Sequence, residues 1–62
     1  MTTAEAKRKL KKQWGIKLHS HGTNHDWYIN PENGKKTQIG RHDSKEMPTG
    51  TWKAILDQLG LK

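Results

Sequence analysis

A chain of 62 residues without cysteine fits one small domain, expected over residues 1–62, and excludes both a disulfide staple and a thiolate zinc site. Lys and Arg number 12 against 6 Asp and Glu, for a net charge of +6, and hydrophobic residues make up only 29% of the chain, so the core is thin and the surface carries a positive potential suited to phosphate. No apolar run approaches the length of a membrane span and the N-terminus lacks the apolar core of a signal peptide, so a soluble, cytoplasmic protein with no membrane partner is expected.

The first segment, "TTAEAKRKLKKQW", predicts a helix. Thr2 and Glu5 have capping-box spacing, and Ala6, Leu10 and Trp14 recur every four residues as a narrow apolar stripe. Lysines and Arg8 surround that stripe, either as a solvated face or as phosphate contacts. Gly15 is placed to end the helix. "IKLHSH" then alternates with period two: Ile16, Leu18 and Ser20 are expected to point inward, and Lys17, His19 and His21 outward. "GTN" breaks this strand, and "HDWYIN" predicts a second one, with Trp27 and Ile29 on one face and Tyr28 on the other.

"PENG" reads as a turn, in which Pro31 sets φ and Asn33-Gly34 favours positive φ. "KKTQI" is a third strand, with Thr37 and Ile39 sharing a face. Two short turns imply an antiparallel meander. Residues 40–49 form a polar loop. In "GTWKAILDQLG", Trp52, Ile55, Leu56 and Leu59 fall on one helical face, with a cap expected from Thr49 or its neighbours and an end at Gly60. The fold class is therefore α+β, ordered α-β-β-β-α, with both helices on one face of a three-stranded antiparallel sheet.

Three of the 4 histidines fall within "HSHGTNHDWY". A metal site is the weaker reading, because His19 and His21 would lie on an open strand face with no cysteine and no carboxylate at a fixed spacing. Acid–base chemistry on RNA suits them better. RNA supplies its own nucleophile, the 2′-hydroxyl, and histidine titrates near neutrality, while Lys or Arg can stabilise developing phosphate charge. A non-catalytic RNA-binding module would carry the same residues. A DNA-binding protein fits poorly, since no helix-turn-helix spacing occurs and the middle of the second helix has Lys53 as its one cation.

The order of motifs narrows the choice. Gly22-Thr23-Asn24-His25, then "YINPENGKK", then Arg41-His42, then "GTWKAILDQLGL" resembles the HicA family of toxin ribonucleases over about residues 5–61. Two departures stand out: the glycine motif is one residue longer than the short form, and the motif at Arg41-His42 lacks its proline. The resemblance implies a fold like the double-stranded-RNA-binding domain. It also implies an mRNA interferase that cleaves mRNA without the ribosome, using neither metal nor other cofactor, and a HicB-type antitoxin that binds and covers it. No direct contact with DNA is expected except through the antitoxin complex.

Counting back from Asn30-Pro31, the family's essential histidine falls on His25, expected as general acid or base. Lys17, His19, Lys35, Lys36, Arg41 and His42 are the candidate RNA contacts; Lys35, Lys36 and Arg41 could equally meet acidic antitoxin residues, and His42 could instead pack in its loop. Trp14 and Trp52 are expected in the core; one of Trp27 and Tyr28 should face outward, where it could stack on a base, with core packing the favoured alternative for each.

Overall fold

The structure, a computed structural model, describes residues 1–61; Lys62, the last residue of the expected domain, lies outside them. The elements are α1 (Thr3–Trp14), β1 (Lys17–His21), β2 (His25–Ile29), β3 (Lys36–Gly40) and α2 (Thr49–Gln58). The strands form an antiparallel meander in the order β1-β2-β3. The expected α-β-β-β-α architecture is the one observed. Among the described residues no helix is long and apolar enough to cross a membrane.

Helix α1 starts where its capping box places it. The Glu5 amide donates to the Thr2 hydroxyl at 3.2 Å, and the Thr2 amide donates to the Glu5 carboxylate at 2.8 Å. It ends at Gly15, whose amide reaches the Lys11 carbonyl at 3.0 Å. Helix α2 differs from expectation at its start. Thr49 lies inside the helix, and Pro48, which has no side-chain acceptor, occupies the cap position.

The turn between β2 and β3 also differs. Gly34 alone takes a positive φ, of 74°, and Asn33 does not. Asn33 instead donates its side-chain amide to the Leu59 carbonyl at 3.1 Å, and buried Asn30 donates to the same oxygen at 2.9 Å. The "NPENG" turn thereby satisfies a carbonyl at the end of α2, which has no partner inside its own helix.

Asp26 faces Ile39 and Tyr28 faces Thr37 across β2 and β3, so these four residues share one face of the sheet. Both helices cover that face. Ala6 and Leu10 of α1 and Ile55 and Leu59 close α2's end form the core with Ile16, Ile39 and Met47. Trp14 and Trp52, half-buried, meet at 6.4 Å between ring centroids and pack against this core. Met47 comes from the loop expected to be polar, yet it is only 7% exposed. Leu18 was expected inside and is 48% exposed, because β1 is an edge strand that the helices do not fully cover.

The largest departure is in β1. Leu18 faces Tyr28, but Ser20 faces Trp27, so the register slips by one residue and His19 is the extra one. Tyr28 and Trp27 point to opposite faces, and Leu18 and Ser20 therefore do too. His21 then faces Asp26 on the covered side, while Lys17 and Ser20 lie on the uncovered side. The expected common outer face for Lys17, His19 and His21 does not form, since a bulge inverts the parity of every residue beyond it.

Candidate active site at the edge of the sheet

His25 opens β2, directly after the glycine turn. The Gly22 amide donates to the His25 carbonyl at 2.8 Å. A Cβ on residue 22 would stand 2.5 Å from that same oxygen, so only glycine allows the chain to close this turn. His25 is exposed, and its ring lies over Gly40, its partner on β3.

The turn is held from β3's end. Arg41 donates from Nε to Asp26 Oδ1 at 2.8 Å, from Nη1 to the Thr23 carbonyl at 3.4 Å, and from Nη2 to the Gly22 carbonyl. His21 Nδ1 lies 3.0 Å from the same Asp26 oxygen. An ionised carboxylate only accepts, so the proton sits on His21 Nδ1. The Arg41 hydrogen bond, followed by that of His21, holds the Asp26 carboxyl below the ordinary carboxylate range. Asp26 is 8% exposed. A buried carboxylate adjacent to His25 is thus tied to the turn that precedes it.

A second connection brings a loop to the site. The first-turn amides of α1 have no acceptor inside the helix. Thr3 and Ala4 donate theirs to the carbonyls of Lys45 and Asp43, at 2.8 and 3.0 Å. Lys7 Nζ reaches Asp43 at 2.7 Å, and the N-terminal ammonium reaches Glu46 at 2.7 Å. The loop from Arg41 to Met47 is therefore laid across the start of α1. The result is a concavity of about 510 Å³ lined by His25, Asn24, Gly40, Arg41, His42 and Lys45, among others. A smaller one of about 250 Å³ continues from His25 and Lys45 towards Pro48 and Thr51.

The structure thus divides the residues singled out in the sequence. His25, Arg41 and His42 come together around the concavity. Arg41 is occupied by Asp26 and two backbone carbonyls rather than left free. Lys36 and Lys17 both pair with Ile29, at the far end of β2 from His25. Lys35 lies in the turn, its side chain running beside Gly60. His19 is exposed at the bulge.

Lys45 was not among the expected residues. It lies in an irregular loop with no periodicity, and its one signal was a cation between Asp43 and Glu46. The Asp26–Arg41 pair was missed as well, although Asp26 directly follows His25. Among the described residues no three His, Asp or Glu side chains are grouped so as to hold a metal ion.

Residues 4–61 match the family model described as "HicA toxin of bacterial toxin-antitoxin". No curated protein and no solved structure matches the chain.

Proposed function

The chain belongs to the HicA toxin family of bacterial toxin–antitoxin systems, and on that premise we propose that it is an endoribonuclease acting on mRNA through His25. The supporting observation is the exposed imidazole of His25 beside a concavity that also carries His42 and Lys45. In this reading the imidazole accepts the proton of a 2′-hydroxyl as that oxygen bonds to phosphorus. The bond to the 5′-oxygen breaks, and the leaving oxygen takes a proton from an imidazolium. Lys45 stabilises the charge that builds on the non-bridging oxygens. Arg41 and Asp26 position His25 by fixing the turn before it. The reaction as written uses groups of the chain and the RNA alone, with no metal.

A HicB-type antitoxin is the proposed partner, covering this edge and shielding the thin core. Its contact would neutralise the toxin and lift growth arrest.

The test is cleavage of a labelled single-stranded RNA in excess EDTA by the parent and by His25→Ala. The expected result is cleavage by the parent and a loss of about 10²- to 10⁴-fold in the variant, with thermal unfolding unchanged. Undiminished cleavage by His25→Ala removes that residue from the mechanism. Salt-dependent binding by the parent without cleavage favours a non-catalytic RNA-binding module on the same fold.

A further inference from the structure

The face of the sheet opposite the helices has no element of the described chain packed on it. The register assigns its residues. His25, Trp27 and Ile29 of β2 point to this face, opposite Gly40, Gln38 and Lys36 of β3, with Ser20 and Lys17 of β1 opposite Trp27 and Ile29. Trp27 is half-buried there and takes no part in the core, whereas Tyr28, on the other face, packs against it.

Charge on this face has one sign. Lys17 and Lys36 flank Ile29 from both sides, and His25 stands at the other end of the strand. All 6 acidic residues lie elsewhere: Glu5 on α1, Asp26 on the covered face, Glu32 in a turn, Asp43 and Glu46 in the loop, and Asp57 on α2. An aromatic ring between a histidine and two lysines, with no carboxylate beside it, matches a ligand that offers flat rings and phosphates together.

We infer that this uncovered face is the substrate platform and that its substrate is single-stranded RNA, with one base stacked on the Trp27 indole and backbone phosphates held by Lys17 and Lys36. The inference rests on His25 acting on RNA, as proposed above. Two residues along a strand span about 6.6 Å, close to one nucleotide step of an extended chain. A base on Trp27 therefore leaves the neighbouring phosphate at His25. A duplex offers no such fit, because its bases are stacked on one another and have no free face for an indole.

The test measures binding apart from cleavage, by fluorescence anisotropy with a labelled RNA whose 2′-hydroxyls are methylated. Trp27→Ala is expected to weaken binding about tenfold to a hundredfold, and Trp27→Phe much less, because stacking needs an aromatic face. Lys17→Glu and Lys36→Glu, both at exposed positions, are expected to weaken it and to flatten its salt dependence. These two charge reversals decide the question if Trp27→Ala does not fold. Leu18→Ala, on the opposite face, is the control and keeps the parent affinity.

Parent affinity in the Trp27 and lysine variants overturns the inference. So does loss of antitoxin binding alone, which would make the face a protein-docking surface, or equal affinity for duplex RNA. Failure of the His25 reading is distinct: His25→Ala would then cleave as the parent does, whatever the Trp27 variants bind.

Discussion

The imidazole of His25 lies over Gly40 so closely that one added methyl would touch it: a Cβ at residue 40 would stand 3.7 Å from Cδ2 and 3.9 Å from Nε2 of the ring. That is ordinary contact, not a clash. Gly40→Ala should therefore keep the ring in place and change RNA cleavage only a few-fold. Gly40→Val adds two methyls beyond that Cβ and should reduce kcat by about tenfold or more, the order of a misplaced catalytic group. Thermal unfolding should barely move, since β-branched residues suit a strand. Equal kcat values for the two variants would show that cleavage does not depend on where this ring lies.

Arg41 reaches Asp26 and the carbonyls of Gly22 and Thr23 with three different nitrogens. A lysine cannot reproduce that planar fork. Arg41→Ala and Arg41→Lys are both expected to lower Tm and to reduce kcat more than they raise KM, because the turn before His25 loosens while the uncovered face is untouched. The same network predicts acid sensitivity. The Asp26 carboxyl titrates lower in the folded chain than in the unfolded one. Its contribution is complete above the unfolded value, about pH 4, and is lost as pH falls through the lower folded value. Denaturant midpoints should fall over that acid range, and Asp26→Asn should show less of the fall. An identical acid profile in Asp26→Asn would place the sensitivity elsewhere.

Asn30 is 3% exposed and donates to the last turn of α2 through the Leu59 carbonyl, while its own oxygen accepts the Glu32 amide at 3.0 Å. Asn30→Ala leaves the Glu32 amide without its acceptor and the Leu59 carbonyl with Asn33 as its one side-chain donor, and should cost about 1–3 kcal/mol. That is a large share of the roughly 3–5 kcal/mol that the core of a small domain supplies. The check is urea unfolding, in which a midpoint equal to the parent's would show that water replaces the side chain without loss.

Much of this fold is local and was legible in the residues. The capping box at Thr2 and Glu5, the stripes Ala6-Leu10-Trp14 and Trp52-Ile55-Leu56-Leu59, and the turn at "PENG" each placed an element within one or two residues of its observed bounds. His25 became the leading candidate through the resemblance of the motif order to the HicA family; spacing alone supplied three histidines to choose among. Its surroundings were not legible in that way. Lys45 reaches the concavity because the amides of α1's first turn hold a loop about 40 residues away in the chain.

The sequence by itself determined the element order, the basic surface and the histidine at the head of β2, because periodicity, capping and turn chemistry act between near neighbours. Tertiary structure alone decided which faces the side chains occupy. The bulge at His19 is a property of pairing with β2, invisible in β1 on its own, and it sends His21 to the covered face beside Asp26. Arg41 lies back across the turn before His25 because its acceptors, distant in sequence, converge at the hairpin end. Trp27 and Tyr28 are adjacent and both aromatic; helices packing on one side of the sheet put Tyr28 against the core and left Trp27 on the open face with His25.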